Sequence, residues 1–469
     1  MSTMHDTPLF DVLRTRADVG AHRFHMPGHK GRDPMESPLA GAMRLDFTEL
    51  YGTGNLYDGT YPIADAEVFA AHAWRVPQAF FLTGGATQGL LSALLFLRRR
   101  TDTILIDRAC HKSVYHGLGL SDYTPRYLTP VLEEPFGIAG PLSPARLDAA
   151  LTETPAGAVV ITSPTYYGVC SDIRALADVA HAHGAYLLVD EAHGAHLPFH
   201  TGFDSAVAQG ADLAVCSLHK TLPALGQAAL LTAREGLDPS ELRQCTSIYG
   251  TSSPSYAVMA GMDLTRAFME TSGCARSDEL AARVQTLRDA INAHGIFRAY
   301  PSNDPLRLCV YTAGLCGFDA ARLLEERDHV VCEMADTRNV LFIITAADTD
   351  ADLDALAEAL FRLETDAEGS AAPTPVALTL PRVQCSPRTA LLAGQTRVPL
   401  ADAVGCVLAQ TLCPYPPGIP VVAPGEVLDA SHLTYLYENG FSPEDPVSII
   451  NDLGGGYFYE TGHGNCQRG

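Results

Sequence analysis

The sequence predicts an α/β fold: a mostly parallel sheet covered by helices, followed by a smaller α+β domain and a C-terminal domain. Three observations carry this reading. Short, nearly continuous Val/Ile/Leu runs alternate with helical periodicity from about residue 80 to 245, the pattern of strands buried on both faces. After residue 255 long helical stretches dominate and only two strand-like runs remain. A stretch rich in Gly, Ser, Ala and Pro at 368–375 then reads as a linker into a proline-containing terminal region. The expected divisions are an N-terminal segment over 1–75, a large domain over 76–254, a small α+β domain over 255–365, a linker over 366–380 and a C-terminal domain over 381–469.

Taken in order, Thr7-Pro8-Leu9-Phe10 opens a short helix, and Pro27-Gly28 marks a turn amid His25, His29 and Lys30. Residues 46–62 are rich in Gly, Tyr, Asn and Asp and have no clear period. Irregular stretches of that length inside a compact protein often serve a site or a subunit contact. A helix is expected over 63–75. Strands are expected over 79–82, 103–106, 158–162, 186–189, 213–216 and 227–231, with helices between them including 88–100 and 173–183. In such sheets ligand groups gather at the carboxyl ends of strands, which places Asp107, Ser163, Asp190 and Ser217 on one edge. Beyond them come helices over 256–270, 279–294, 319–327 and 351–363, and strands over 306–312 and 340–345. Pro414, Pro416, Pro417 and Pro420 force an extended path near the end.

Composition narrows the function. A chain of 469 residues with 47% apolar content has room for about two to four domains. Its 54 acidic against 32 basic residues give a formal charge of −22, which opposes nucleic-acid binding and favours cationic substrates through the summed field. The 12 cysteines form no Cys-x-x-Cys pair and sit in apolar segments, as buried thiols of a reducing compartment do. No signal peptide and no run of about 18 apolar residues is present, so a cytoplasmic protein with no membrane contact is expected. No metal is expected: Pro27-Gly28 breaks any helix that would align His25 with His29, and the spacing from Asp190 through His193 to His196 fits no zinc pattern.

The chemistry converges on Ser217-Leu218-His219-Lys220. A lysine at one strand end, Asp190 at another and the small-residue turn Thr83-Gly84-Gly85-Ala86-Thr87-Gln88 before an apolar helix are what a pyridoxal-phosphate enzyme needs. The lysine would form a Schiff base. The aspartate would keep the ring nitrogen protonated, and the turn with its helix N-terminus would take the phosphate. Lys220 must lose its proton to act, which desolvation and nearby positive charge favour. His219 could relay protons, Ser217 could touch the phosphate, and the ring of His111 could stack on a flat cofactor. The hydroxyls of the Ser163-Pro164-Thr165-Tyr166-Tyr167-Gly168 turn either contact cofactor or substrate or cap the next helix.

These stretches, together with Phe24-His25-Met26-Pro27-Gly28-His29-Lys30, Asp107-Arg108-Ala109-Cys110-His111-Lys112-Ser113, Val189-Asp190-Glu191-Ala192-His193-Gly194, Thr251-Ser252-Ser253-Pro254 and Pro414-Tyr415-Pro416-Pro417-Gly418-Ile419-Pro420, resemble the ornithine/lysine/arginine decarboxylase family of fold-type-I, aminotransferase-like pyridoxal-phosphate enzymes in its shorter bacterial form. The resemblance spans nearly the whole chain. It implies cofactor contacts from Gly85, Ala86, Thr87, Gln88, His111, Ser163, Asp190, Ser217, His219 and Lys220, with His193 near the ring. It also implies that Thr251, Ser252 and Ser253 reach the phosphate of a neighbouring subunit, so that the active site needs a homodimer or larger assembly. Two departures stand out: Ala86 where relatives carry a hydroxyl, and Gln410 where they carry a glutamate. The implied activity is decarboxylation of a basic amino acid, arginine before lysine or ornithine. Transamination or aldol cleavage is the alternative on the same fold, and Arg307 or Arg338 would then hold the substrate carboxylate.

Overall fold

The protein was analysed as a computed structural model. The structure describes residues 6–367, 380–414, 420–451, 457–459 and 466–468. Most of the expected linker, and residues 415–419 of the proline segment, lie outside the described residues.

Its centre is a seven-stranded sheet. The strands are β1 (Gln78–Leu82), β2 (Thr103–Asp107), β3 (Thr124–Leu128), β6 (Ala158–Thr162), β7 (Tyr186–Asp190), β8 (Leu213–Ser217) and β9 (Ala229–Ala233). A two-stranded hairpin, β4 (Leu132–Glu133) with β5 (Ile138–Ala139), lies between β3 and β6 in sequence. The spatial order of the large sheet is β1-β9-β8-β7-β6-β2-β3. β3, β2, β6, β7 and β8 run parallel, and β9 runs antiparallel to both β8 and β1.

The apolar runs split by parity, because successive strand residues point to opposite faces. Phe81, Leu105, Val159, Leu187, Val189, Ala214 and Leu230 join one core with the N-terminal helix residues Leu9 and Leu13. Phe80, Leu82, Ile104, Ile106, Val160, Leu188, Val215 and Leu231 join a second core beneath the helix Gly85–Arg98. The stretch 46–62 forms neither helix nor strand, as expected. It nevertheless buries Phe47 and Leu56, and the Gly54 carbonyl accepts a hydrogen bond from the Tyr256 hydroxyl at 2.5 Å.

The departures from the sequence reading have local causes. β3, Thr124-Pro125-Arg126-Tyr127-Leu128, gives no apolar run because it is an edge strand with one polar face, where proline is tolerated. β9 begins two residues later than expected: Gln227 takes φ +75°, and its carbonyl accepts a 2.9 Å hydrogen bond from Gly85 N. The helix expected from Gln88 starts at Gly85, so the phosphate-sized turn is its first turn. The expected break near 270–279 is instead a π-turn, Met269–Gly273, between helices Tyr256–Phe268 and Cys274–His294. A Cβ at Gly273 would lie 2.6 Å from Met269 Sδ, so that close approach requires glycine.

The second sheet is antiparallel, in the order β10-β11-β13-β12: β10 (Arg298–Ala299), β11 (Arg307–Tyr311), β12 (Met334–Ala335) and β13 (Asn339–Ile343). Helices Cys274–His294, Gly317–Asp328 and Asp350–Ala367 contribute to its own core around Leu308, Val310, Leu324, Val340 and Leu360. A fourth core gathers Leu400, Leu408, Val422, Leu436 and Ile449 around the pair β14 (Gln395–Pro399) and β15 (Pro446–Ile450).

One buried ion pair joins that last part to the large sheet. Arg108, just beyond β2, binds both carboxylate oxygens of Glu426 at 2.7 Å and the Val421 carbonyl at 2.9 Å. The Ala423 amide donates to the same carboxylate. Both side chains are within 2% of full burial. Removing one member of such a pair leaves the other charge uncompensated, which costs about 3–5 kcal/mol. We expect Glu426→Leu to lower unfolding stability in urea by that amount, and Arg108→Met combined with Glu426→Leu to recover most of it. A single variant within about 1 kcal/mol of the parent would show the seam to be energetically idle.

Candidate active site

The carboxyl ends of β6, β7 and β8 and the segments that follow them surround a cavity of about 320 Å³. Its walls include Gly85, Ala86, Thr87, His111, Thr162, Tyr166, Asp190, His193, Ser217, His219, Lys220 and Gln227. Of the strand-end residues, Asp190 and Ser217 line this cavity. Asp107 instead accepts a hydrogen bond from Ala109 N in its own turn.

Lys220 is placed by geometry more than by local propensity. β8 is fully buried and ends at Ser217; a single helical turn, Leu218–Thr221, then carries Lys220 into the cavity. Its Nζ lies 3.1 Å from His193 Nε2. Burial, opposed by Asp190 and reinforced by Arg307, lowers the lysine pKa. Asp190 is 2% exposed and takes one hydrogen bond, from Ala192 N at 3.2 Å. Burial raises its pKa, with Lys220 acting in the opposite direction. Burial drives His193 well below the ordinary histidine range, with Lys220 and Arg307 adding to the effect. His111 falls to about 4 through burial and the charges of Lys220 and Lys112. Both rings are therefore neutral near pH 7.

The tautomer of His193 follows from its partners. A guanidinium can only donate, and Arg307 Nη2 lies 3.4 Å from His193 Nδ1. Nδ1 must then accept, so the ring proton sits on Nε2 and points at Lys220 Nζ. Arg307 itself is buried; among the described residues its Nε and Nη1 lack hydrogen-bond partners, and Asp304 Oδ2 lies 3.7 Å from its Nε. Burial would raise Asp304, but His196 and Arg307 hold it down to about 2.

The phosphate end has the features of an anion cradle. The helix Gly85–Arg98 has no side-chain N-cap, and its first-turn residues Gly85, Ala86 and Thr87 line the cavity. Gly85 takes φ +69°, and a Cβ there would meet nothing within 4 Å. Ser217 Oγ, on the same wall, is buried and has no hydrogen-bond partner among the described residues. An orphaned hydroxyl, a helix first turn whose Ala86 and Thr87 line the cavity, a partly buried lysine and a buried carboxylate fit pyridoxal phosphate.

Not every expected residue reaches the cavity. Gln88 is buried behind the turn; its Oε1 accepts from Gly84 N and its Nε2 donates to Thr246 O. Ser163 Oγ accepts from Ser171 N, so it braces the next segment. Thr251, Ser252 and Ser253 are exposed on the surface outside this cavity. Gln410 Oε1 accepts from Ser448 N. Conversely, Tyr166, Thr165, Ser113 and Gln227 line the cavity without having been singled out as site residues. Tyr166 and Thr165 stand in a quoted motif, but nothing local distinguishes their side chains from the neighbouring Tyr167.

A family model described as Orn/Lys/Arg decarboxylase, major domain, matches residues 7–306, and one described as the C-terminal domain of the same family matches residues 374–439. The chain belongs to the Orn/Lys/Arg decarboxylase family. Arginine decarboxylase of Bacillus subtilis (strain 168) is 31% identical over 461 residues, covering 93% of this chain and 94% of that protein. Lysine decarboxylase A from Pseudomonas aeruginosa superposes with a TM-score of 0.80 at 22% identity, covering 94% of this chain and 80% of that one. A high-resolution structure of SPT with pyridoxal phosphate shares the fold over 67% of this chain and 80% of its own, with a TM-score of 0.53 and 18% identity. As a member of this decarboxylase family, the chain is a pyridoxal-phosphate-dependent amino-acid decarboxylase.

A buried carboxyl next to Asp190 in the chain carries a pH signature. Glu191 is buried, accepts from Ala206 N at 3.0 Å, and burial pushes its carboxyl from 4.5 up to about 8. A raised folded-state pKa gives stability that is complete below the unfolded value and is lost as pH rises through the folded one. Glu191→Gln keeps the acceptor and cannot ionise. We expect its stability advantage over the parent to grow from pH 4.5 to pH 8, read from urea midpoints at each pH. A difference that does not change with pH would refute this.

Proposed function

We propose that this decarboxylase acts on a basic amino acid, arginine by preference, to give carbon dioxide and the amine, a reaction that supplies polyamine synthesis. It works as a cytoplasmic homodimer or larger assembly with shared active sites. The observation that carries the reading is Lys220, partly buried, sharing one cavity with Asp190 and lying 3.1 Å from His193. The relatives named arginine decarboxylase support the substrate class.

In this reading Lys220 would bind the cofactor, Asp190 would pair with the ring nitrogen, and Ala86, Thr87 and Ser217 would take the phosphate. The cofactor supplies an electron sink for the pair left when the carboxylate departs. The chain supplies the rest. Burial lowers the Lys220 pKa, which favours loss of its proton. His193, its tautomer set by Arg307, holds a proton on Nε2 next to the lysine nitrogen and can pass it there or take it back. His111 offers a neutral ring face. Asp190 stays buried, so its charge is little screened by water.

Arg307, rather than Arg338, lies at the site; Arg338 is engaged with Glu134 and the Pro135 carbonyl. An arginine beside the reacting centre is also what transamination would use, so product analysis decides. Incubation with arginine, lysine and ornithine should release carbon dioxide and the matching amine, and conversion to a keto acid would overturn the reading.

Borohydride reduction followed by peptide mapping should label Lys220. Asp190→Asn should retain that label and lose turnover by about 100-fold or more, as removal of a group acting mainly in the transition state does. Near-normal turnover would remove Asp190 from its role.

The exposed Thr251-Ser252-Ser253 segment, outside its own cavity, is available to a neighbouring subunit. A ligand bound only by the assembled form stabilises the assembly. In sedimentation across a dilution series, the apo form should dissociate more readily than the holo form, and Ser252→Ala with Ser253→Ala should weaken both assembly and cofactor retention. An active, cofactor-loaded monomer would exclude the shared site.

A further inference from the structure

Two histidines three positions apart in the segment after β7, His193 and His196, both meet one short stretch of the small domain, the turn that leads into β11. That turn is held from two sides. Ser302 Oγ accepts from Asp304 N at 3.0 Å, and Arg288 Nη2 donates to the carbonyls of both Asp304 and Arg307. The Asp304 side chain is fully buried, and its Oδ1 accepts from His196 Nε2 and from Leu306 N, each at 2.9 Å. An ionised carboxylate can only accept, so His196 carries its proton on Nε2. Asp304 Oδ2 faces Arg307 Nε at 3.7 Å, and among the described residues neither atom has a hydrogen-bond partner. Arg307 Nη2 reaches His193 Nδ1 at 3.4 Å, and His193 Nε2 lies 3.1 Å from Lys220 Nζ. Five groups thus run in series across the domain seam: His196, Asp304, Arg307, His193 and Lys220. Asp304 is not among the residues that line the cavity, so its effect on the reaction passes through its neighbours.

We propose that Asp304 is a positioning residue for the decarboxylation: it orients the Arg307 guanidinium, which keeps His193 Nδ1 an acceptor and so fixes the ring proton on Nε2, facing Lys220. The inference deepens the proposed role of His193 in proton exchange with Lys220 and rests on it. A neutral imidazole has two tautomers. In the Nδ1–H form, Nε2 would accept from the lysine instead of donating to it. A guanidinium excludes that form, because it can only donate. It must itself stay charged and aimed inside the protein, where an uncompensated cation is costly. Asp304 supplies the opposite charge on the Nε side, which leaves Nη2 directed at the ring. The same series makes the tautomer depend on domain contact. Asp304 and Arg307 belong to the small domain, and His193, His196 and Lys220 to the large one, so separation of the two releases both histidines together.

The test uses purified holoenzyme. Its histidines are labelled with nitrogen-15 and read by NMR, and the His193 signals are identified by their loss in His193→Gln. The parent should show a protonated Nε2 and a bare Nδ1. Arg307→Met should show a proton on Nδ1 or a mixture of tautomers. Arg307→Lys, which keeps a cation that can only donate, should hold the parent pattern. With the amino acid that the parent decarboxylates, Arg307→Met and Asp304→Asn should each lower kcat about tenfold or more and change KM less than about twofold. Because Asp304 acts through Arg307, adding Asp304→Asn to Arg307→Met should cost less than about a further twofold in kcat. That double variant removes both buried charges, so it remains a test where a single substitution, leaving one charge unpaired, prevents folding. A proton on Nδ1 in the parent, or the parent pattern in Arg307→Met, would overturn the proposal. Losses in kcat that multiply in the double variant would also overturn it, as would a double variant with parental kcat or a raised KM with unchanged kcat. Failure of the parent to release carbon dioxide from arginine, lysine or ornithine would instead refute the functional reading; the tautomer measurement needs no substrate and decides this inference separately.

Discussion

The molecule depends on keeping Lys220 and Asp190 together out of water. Each alone would be costly to bury, and each makes the other tolerable. Burial lowers the lysine and raises the aspartate, while their mutual attraction opposes both shifts. The result is a lysine and an aspartate in one cavity that would together hold the cofactor, which would supply the electron sink. The sheet makes this possible: β7 and β8 are adjacent and parallel, so their carboxyl ends deliver Asp190 and the turn carrying Lys220 to the same edge.

The small domain completes the site by gripping the turn after β6. Tyr167 donates to Asp336 at 2.6 Å, Ser302 donates to the Gly168 carbonyl at 2.6 Å, and the Cys170 amide donates to Asn303 at 2.9 Å. A Cβ at Gly168, which has φ +85°, would lie 2.6 Å from Arg307 Cβ, so glycine is what lets β11 approach. These contacts set Tyr166 over His193 and bring Arg307 to the far nitrogen of that ring. His196 and Asp304 form a second link at 2.9 Å across the same seam. Catalytic geometry in the large domain is thus held by residues well over a hundred positions away in sequence. A relative movement of the domains would change the His193 contacts before it disturbed the sheet.

At the opposite side of β2, Arg108 and Glu426 perform a comparable task with charge in place of packing. Arg108 directly precedes Ala109, which lines the cavity. Anchoring the C-terminal part there therefore fixes the segment that carries His111. Tyr115 and Tyr127 rings lie within 5.5 Å of the guanidinium, so the buried cation meets aromatic faces as well as its carboxylate.

The sequence by itself determined the alternation of elements and the two-sided burial of the central strands, and it singled out Lys220, Asp190, His193, His111 and Ser217, which the structure brings to one cavity. Those features depend on local residue character: continuous Val/Ile/Leu runs, small residues at a turn, and chemistry-bearing residues at strand ends. Edge strand β3 escaped because its pattern is polar and carries Pro125. The inward turn of Gln88 and Ser163 away from the cavity escaped because an amide or hydroxyl in a motif serves backbone and ligand equally well, and only the positions of Gly84, Thr246 and Ser171 decide which. Tertiary structure alone decided that Arg307 rather than Arg338 meets His193, which nitrogen of that ring carries the proton, and that Glu333 stands beside Tyr166. Each of these is a contact between distant segments. Hydrogen bonds and charge pairs of that kind are set by the packing of whole domains, to which no local pattern in the chain is tied.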